Sequence, residues 1–476
     1  MLPIHPSAGV ITGSGMAAEA DAPMSEKQPM PGRDYHMTTH RAGPLFTDLY
    51  ELTMAAGYYR HRITGKATFS LFIRDYHRQR SFYLMAGLAD VLRELASFGF
   101  EREEICYLEK TGLFPADFVS HLAAMRFSGN VYALPEGAVF FANEPILEID
   151  APIDQVQLLE TYLLNTIGFQ TLIATKAARC VQAAGQRPVI DFSLRRTQGY
   201  DAGLKVARSS YMAGFAATSN VLAGKLYDIP VSGTMAHSFV TAFEKEIDAF
   251  RAYADAFPDN CVLLIDTYDT IHGVRNAIEV ARYLRQRGTS LIGVRLDSGD
   301  MVSLSVEVRR VLDEAGFPDV KIFASSGLDE FSISHLLEKG AKIDAFGVGT
   351  RMGVSADAPY LDIVYKMVRF NGRNVRKLSP GKATLAGRKQ VFRRFDDRGH
   401  YREDVIATRA ERIPGAVPLL APVMKDGKPT GCEPSLHAIR QQAAENMRLL
   451  NAKYKKPEAD SSYPVTISRG LLEIQK

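Results

Sequence analysis

The chain is expected to fold as an α/β protein, with parallel strands and helices alternating through its centre and a smaller α+β module in front. Two observations predict this. First, β-rich runs alternate with helical patterns: "RPVIDFSLRR", "CVLLIDTYDT", "SLIGVRLDSGD", "VKIFASSGLD" and "AFGVGTRM" read as strands, while "GVRNAIEVARYLRQRG" sets Val274, Ala277, Ile278, Ala281 and Leu284 on one helical face. Second, Asp266, Asp297 and Ser326 follow one another at intervals of 31 and 29 residues, each just after an apolar run, which is the spacing of successive strand–helix units. Such units place polar residues at the carboxyl ends of parallel strands, where ligands bind in barrels and doubly wound sheets alike.

Taken in order, residues 1–40 are rich in Pro, Gly, Ala and Ser and are expected to form a disordered tail, with Met24, Met30 and Met37 each a candidate start. Residues 41–151 form the α+β module: "ATFSLFIRDY" reads as a strand, "GLADVLRELASFGF" as a helix, and "GNVYALPEGAVFFANEPILEIDAP" as short strands cut by Pro and Gly. Residues 152–354 carry the strand–helix alternation. In 355–476, "KLSPGKATLAGRKQVFRRFDDRGHYREDVIA" reads as a basic loop followed by strands, and "EPSLHAIRQQAAENMRLLNAKY" as an amphipathic helix. This last segment is expected to pack back on the leading module.

With 476 residues, 46% hydrophobic and 23% charged, the chain can bury a large core and make two or three compact units. Lys plus Arg (57) barely exceeds Asp plus Glu (54), so the overall basic excess of a nucleic-acid binder is missing. Cys106, Cys180, Cys261 and Cys432 lie far apart with no C-x-x-C, which argues against a zinc knuckle or a disulfide framework and fits a reducing cytoplasm. No apolar run approaches the roughly 18 to 20 residues that cross a bilayer, and "MLPIHPSAGVITGSGM" is too broken for a signal core, so neither a membrane nor export is expected.

Several strand tips carry chemistry. In "DFSLRRTQG", Arg195 and Arg196 can grip phosphate or carboxylate in bidentate fashion, or else pair internally with Asp191. In "GVRLDSGD", the carboxylate of Asp297 can hold ribose hydroxyls or water on Mg²⁺, while Asp300 suits the N-cap of the next helix. "FASSGLDE" and "FGVGTRM" add small, Gly-bearing turns that let backbone N–H groups approach a phosphate. Together these point to a phosphosugar site. On the residues alone, Asp48 and Tyr50 in "FTDLYELTM" read as a helix cap and a core aromatic, and His237 in "DIPVSGTMAHSFV" as a satisfied core histidine.

The ordered set "TDLYELTMA", "DFSLRRTQG", "SNVLAGKLYDIPVSGTMAHSFV", "LLIDTYDT", "GVRLDSGD", "SSGLDE" and "FGVGTRM" resembles the nicotinate phosphoribosyltransferases over nearly the whole chain after about residue 40. The resemblance implies an irregular, TIM-like α/β barrel of the type II phosphoribosyltransferases. It also implies an open-faced α+β sandwich built from the amino- and carboxy-terminal segments, and a homodimer with shared active sites. The implied reaction joins nicotinate and phosphoribosyl pyrophosphate into nicotinate mononucleotide and pyrophosphate, with Mg²⁺ as cofactor and ATP as co-substrate. By the same resemblance, Tyr50, with Asp48 beside it, stacks on the pyridine ring from the neighbouring subunit and Phe192 covers the other face. Arg195 and Arg196 lie near phosphate or carboxylate, Arg295 and Asp297 handle phosphoribosyl pyrophosphate with Asp266 beside them, and Ser326, Gly327, Gly349 and Thr350 cradle the ribose phosphate. His237 matches the histidine that ATP phosphorylates. Ser219 and Asn220 stand where amide-using relatives carry an Asp, so neutral donors are expected to face the nicotinate carboxylate. A nicotinamide-using enzyme, a quinolinate phosphoribosyltransferase and a non-catalytic sensor of phosphoribosyl pyrophosphate remain as alternatives.

Overall fold

Alternation along Lys66–Ile73 sorts two chemistries onto two faces: Ala67, Phe69, Leu71 and Ile73 enter an apolar core, while Thr68 and Ser70 are buried on the opposite face among charges. The computed structural model describes residues 42–77, 80–379, 383–458 and 461–476; the expected tail lies outside them. Lys66–Ile73 is central in an antiparallel sheet, paired with Leu147–Pro152 on one side and with Ile363–Phe370 on the other. Farther out, Asn130–Ala133 pairs with Ala421–Lys425. Both ends of the chain thus build one sheet, the arrangement expected of the sandwich.

The apolar face of this sheet is covered by Leu88–Ala96, Ala116–Ala124 and neighbouring helices. Its polar face meets a second sheet, ordered Ala416–Pro418, Lys389–Phe395, Tyr401–Thr408, Val465–Ile467. The contact is ionic: Glu148 accepts from Ser70, Lys389 and Arg409, and Asp150 accepts from Thr68, Arg388 and Arg409. A buried carboxylate persists only when it is paired in this way.

The centre of the chain supplies six parallel strands: β1 (Val189–Asp191), β2 (Ala217–Thr218), β3 (Val262–Leu264), β4 (Gly293–Leu296), β5 (Lys321–Ser325) and β6 (Ala345–Val348). Their order is β2-β1-β6-β5-β4-β3, which is chain order written around a circle, as a barrel requires. Among the described residues the backbone pairing stops between β2 and β3. There Val231 makes a parallel bridge with Thr218, and the segment that follows carries Thr234 and His237 across the gap. The strand expected over "RPVIDFSLRR" ends at Asp191, whose carboxylate accepts from the amide of Ser193 and turns the chain into a short 3-10 turn, Leu194–Arg196.

The helix Glu160–Ala184 joins the sandwich to the parallel sheet through a buried charge cluster. Lys176 Nζ lies 2.6 Å from Glu330 and 2.7 Å from Asp357, Arg179 lies 2.7 Å from Glu330, and Arg80 lies 3.5 Å from Asp357. Burial pushes Asp357 up, but Arg80 and Lys176 outweigh it and hold the carboxyl at about 2. The carboxy-terminal helix, Leu436–Leu449, departs from expectation in part. Its Asn446 donates to the Gly137 carbonyl of the leading module, but its Arg440 donates to the carbonyls of Tyr211, Gly214 and Phe215 next to the barrel. Among the described residues no helix is long and apolar enough to cross a membrane.

Candidate active site

The tips of β3, β4 and β5 are tied into one another. Asp266, two residues past β3, uses Oδ2 to accept from the amide of Asp297 and from the hydroxyl of Ser298, each at 2.7 Å. Asp297, just past β4, accepts on Oδ1 from Ser325 at the end of β5. Its Oδ2 lies 3.8 Å from Nε2 of His237, whose Nδ1 sits 3.1 Å from the Thr267 hydroxyl. The imidazole is therefore held between Thr267 and Asp297, and it is half-buried rather than a core histidine.

Arg295 of β4 donates from Nη1 to Thr234. Burial pushes its pKa down, Asp297 and Asp266 pull it back up, and the charge of Arg195 lowers it further. An anion bound near Arg295 and Arg195 would relieve this like-charge interaction. Nε of Arg295 and Oδ1 of Asp266 are buried without a partner among the described residues, so polar capacity is left over. Arg195 and Arg196 are exposed on the turn after β1. The internal pair with Asp191 does not form, because that carboxylate accepts from Ser193 and from Thr218 at 2.7 Å.

Phe192 is half-buried against β6, and its position depends on Gly347, where a Cβ would lie 2.5 Å from the ring. Ser326 holds φ +85°, a left-handed conformation costly for a non-glycine residue, and Gly327 follows at +63° with open space beside it. Gly349 lies close over the Phe192 carbonyl, and Thr350 opens the short helix Thr350–Gly353. Phe192, Arg195, Ser219, Ser326, Gly327, Gly349 and Thr350 therefore all stand just past strands of the same sheet as Asp266, Arg295 and Asp297.

Two expectations are corrected here. Asp48 precedes the helix Leu49–Arg60 but makes no side-chain cap; its Oδ2 accepts from Thr161, 2.6 Å away, and Tyr50 is 46% exposed rather than in the core. That helix packs on Ile153–Gln157, within the sandwich. Asn220 is also placed differently. It is 3% exposed, its Oδ1 accepts from the amide of Ala223 as the cap of Val221–Tyr227, and its Nδ2 donates to the Gly203 carbonyl. With Oδ1 and one Nδ2 hydrogen committed and the side chain buried, it is poorly placed to meet a substrate carboxylate; half-buried Ser219 is the better placed of the two. Asn220→Asp should set a carboxylate oxygen against the Gly203 carbonyl and destabilise the fold by about 1–3 kcal/mol, read as a lower denaturant midpoint. The ratio of nicotinate to nicotinamide use should stay unchanged, and a shifted ratio in a fully folded variant would return Asn220 to the site.

Thr234, Thr267, Ser298 and Ser325 escaped the sequence reading. Thr267 had a usable signal, since it directly follows Asp266 at a strand tip.

The same order of elements appears in known proteins. The chain matches the nicotinate phosphoribosyltransferase N-terminal domain over residues 45–168, the nicotinate phosphoribosyltransferase family over 188–399, and the nicotinate phosphoribosyltransferase C-terminal domain over 415–475. It belongs to the nicotinate phosphoribosyltransferase family. Similar members include a nicotinate phosphoribosyltransferase of Mycobacterium tuberculosis, 47% identical over 90% of this chain and 92% of the relative. That of Bacillus subtilis is 39% identical over 89% and 92%. The human nicotinic acid phosphoribosyltransferase structure superposes with a TM-score of 0.80 at 31% identity, covering 90% of this chain and 99% of the human one. A nicotinate-nucleotide pyrophosphorylase from Pyrococcus furiosus superposes with a TM-score of 0.71 at 24% identity over 87% and 98%, a likeness of fold alone. Family membership also covers the sandwich, since matched segments lie on both sides of the catalytic stretch.

Proposed function

We propose that the protein transfers the phosphoribosyl group of phosphoribosyl pyrophosphate to the ring nitrogen of nicotinate, giving nicotinate mononucleotide and pyrophosphate for NAD salvage. ATP hydrolysis is coupled to the transfer through a phosphate carried on His237. The observation that supports this most strongly is the linked set Thr267, His237, Asp297, Asp266 and Arg295 on adjacent strand tips. Departure of pyrophosphate leaves positive charge on the ribose, and the half-buried carboxylate of Asp297 is fixed by Ser325 where such charge would be stabilised. Arg295 and Arg195 take the anionic groups, and Phe192 backs one face of the pyridine ring. With Nδ1–H assigned as the donor to Thr267, Nε2 of His237 is left to attack the γ-phosphorus of ATP, whose bond to the bridging oxygen breaks so that ADP leaves.

Mg²⁺ fits this site. Asp297 and the unpartnered Oδ1 of Asp266 are the hard oxygen donors that would face it, and it would neutralise phosphate charge when bound. Among the described residues no group of three or more His, Cys, Asp or Glu side chains is gathered for a metal, so most of its ligands would be substrate phosphates and water.

The exposed apolar residues Leu49, Tyr50 and Met54 of the first helix, with Phe46 just before it, support a homodimer in which Tyr50 completes the neighbour's site. Mixing inactive Tyr50→Ala with inactive Asp297→Asn chains should then restore activity, because hybrid dimers contain one intact site. No recovery after verified exchange of subunits would show that sites are not shared. The four free cysteines suit a cytoplasmic location.

The deciding assay supplies nicotinate, nicotinamide or quinolinate, with and without ATP, and follows the mononucleotide. ATP-stimulated turnover of nicotinate is expected. A preference for nicotinamide would favour the amide enzyme, carbon dioxide release from quinolinate the decarboxylating one, and no turnover at all a sensor on the same fold.

A further inference from the structure

Away from the strand tips, a cleft of about 430 Å³ opens at the margin where the two sheets meet, walled by Arg369, Arg388, Arg409, Gly387, Asn374 and Ile474. This volume is within the range of small-molecule sites. Three arginines line it: Arg388 and Arg409 are held by the ionic layer between the sheets, and Arg369 by a backbone carbonyl. Arg409 is clamped: Nη1 and Nη2 donate to Asp150 and Glu148, and its Cζ stacks 3.8 Å from the Tyr132 ring centre. Its Nε is buried without a partner among the described residues. Arg388 donates from Nε to Asp150 at 3.0 Å, and Arg369 from Nε to the Gly372 carbonyl at 3.3 Å. Among the described residues the terminal nitrogens of Arg369 and Arg388 have no partner, and the Arg388 side chain is 38% exposed.

The local charge does not cancel. Lys389 joins the three arginines; Glu148 and Asp150 are saturated by the contacts given above, and Glu411, which accepts from the Thr408 amide and the Ser468 hydroxyl, is a third acid beside the cleft. Exposed Arg373, Arg376 and Lys377 add to the positive field from the neighbouring loop. Gly387 keeps its rim open, since a Cβ there would come within 2.5 Å of Ile474. We infer that this cleft binds a phosphate-bearing small molecule, with Arg369 and Arg388 supplying the free forks and Arg409 the fixed wall. None of these residues stands at a tip of the six parallel strands, so the site is separate from the one that carries His237 and Asp297 within the chain.

The test is equilibrium dialysis of the full chain with labelled orthophosphate, in the presence of saturating phosphoribosyl pyrophosphate to fill the catalytic site. One phosphate per chain is expected to remain bound, with affinity reduced at least tenfold in Arg369→Gln and in Arg388→Gln. Arg369→Gln is the safer variant for folding, because its only recorded partner is a backbone carbonyl, and its mononucleotide formation should match the parent. Adding AMP tells the sources apart: displacement at concentrations below those of phosphate means the cleft takes a nucleotide, and displacement only by phosphate means it takes the free anion. No saturable binding, or undiminished binding in folded Arg369→Gln, would each overturn the inference.

Discussion

Asp297→Asn should lower kcat/KM for mononucleotide formation about a hundredfold, corresponding to a loss of roughly 2–4 kcal/mol in transition-state stabilisation. The variant keeps the shape of the side chain and can still meet Ser325, while the amide of residue 297 still donates to Asp266. What disappears is one negative charge, which the proposed function sets against the ribose as it becomes positive. Because the side chain is 35% exposed, the fold should tolerate the change. Circular dichroism with a parallel rate measurement checks both claims, and near-normal turnover by the folded variant would remove Asp297 from the chemistry.

His237→Asn should abolish the acceleration by ATP while leaving a slow, ATP-independent transfer. The two ring nitrogens reach Thr267 and Asp297 from opposite sides, a span that the shorter Asn side chain does not cover. The proposed function assigns the imidazole to ATP coupling and the substrate anions to Arg195 and Arg295, so coupling and transfer should separate. γ-labelled ATP should give an acid-labile, base-stable phosphoprotein with the parent chain only. Equal labelling of the Asn variant would place the phosphate elsewhere.

Legibility in the sequence followed from whether a signal was local. The tips at Asp266, Asp297 and Ser326 could be read because each ends an apolar run, and the run and the tip are neighbours in sequence. Asp300 was read as a cap and is one, accepting from the amide of Val302. The role of Asn220 was not legible: its partner Gly203 lies on a preceding helix, and only packing shows that Nδ2 is spent there. Asp48 misled for the same reason, since Thr161 claims the oxygen that would otherwise have capped its own helix. The break between β2 and β3 was equally hidden, because it is bridged by side chains of Thr234 and His237 rather than by any run of β-formers.

The pairing of Ala67 with Phe370 also governs when the protein can assemble during synthesis. As the chain leaves the ribosome, Lys66–Ile73 can zip to Leu147–Pro152 early, but its other border waits until the whole barrel has been made. In that interval the nascent chain carries a bare, apolar β-border on "TFSLFI", a template for adhesion to other nascent chains. Ile363–Phe370 therefore acts as a late closing strip, and chains released before it is made should clump where completed ones stay dispersed.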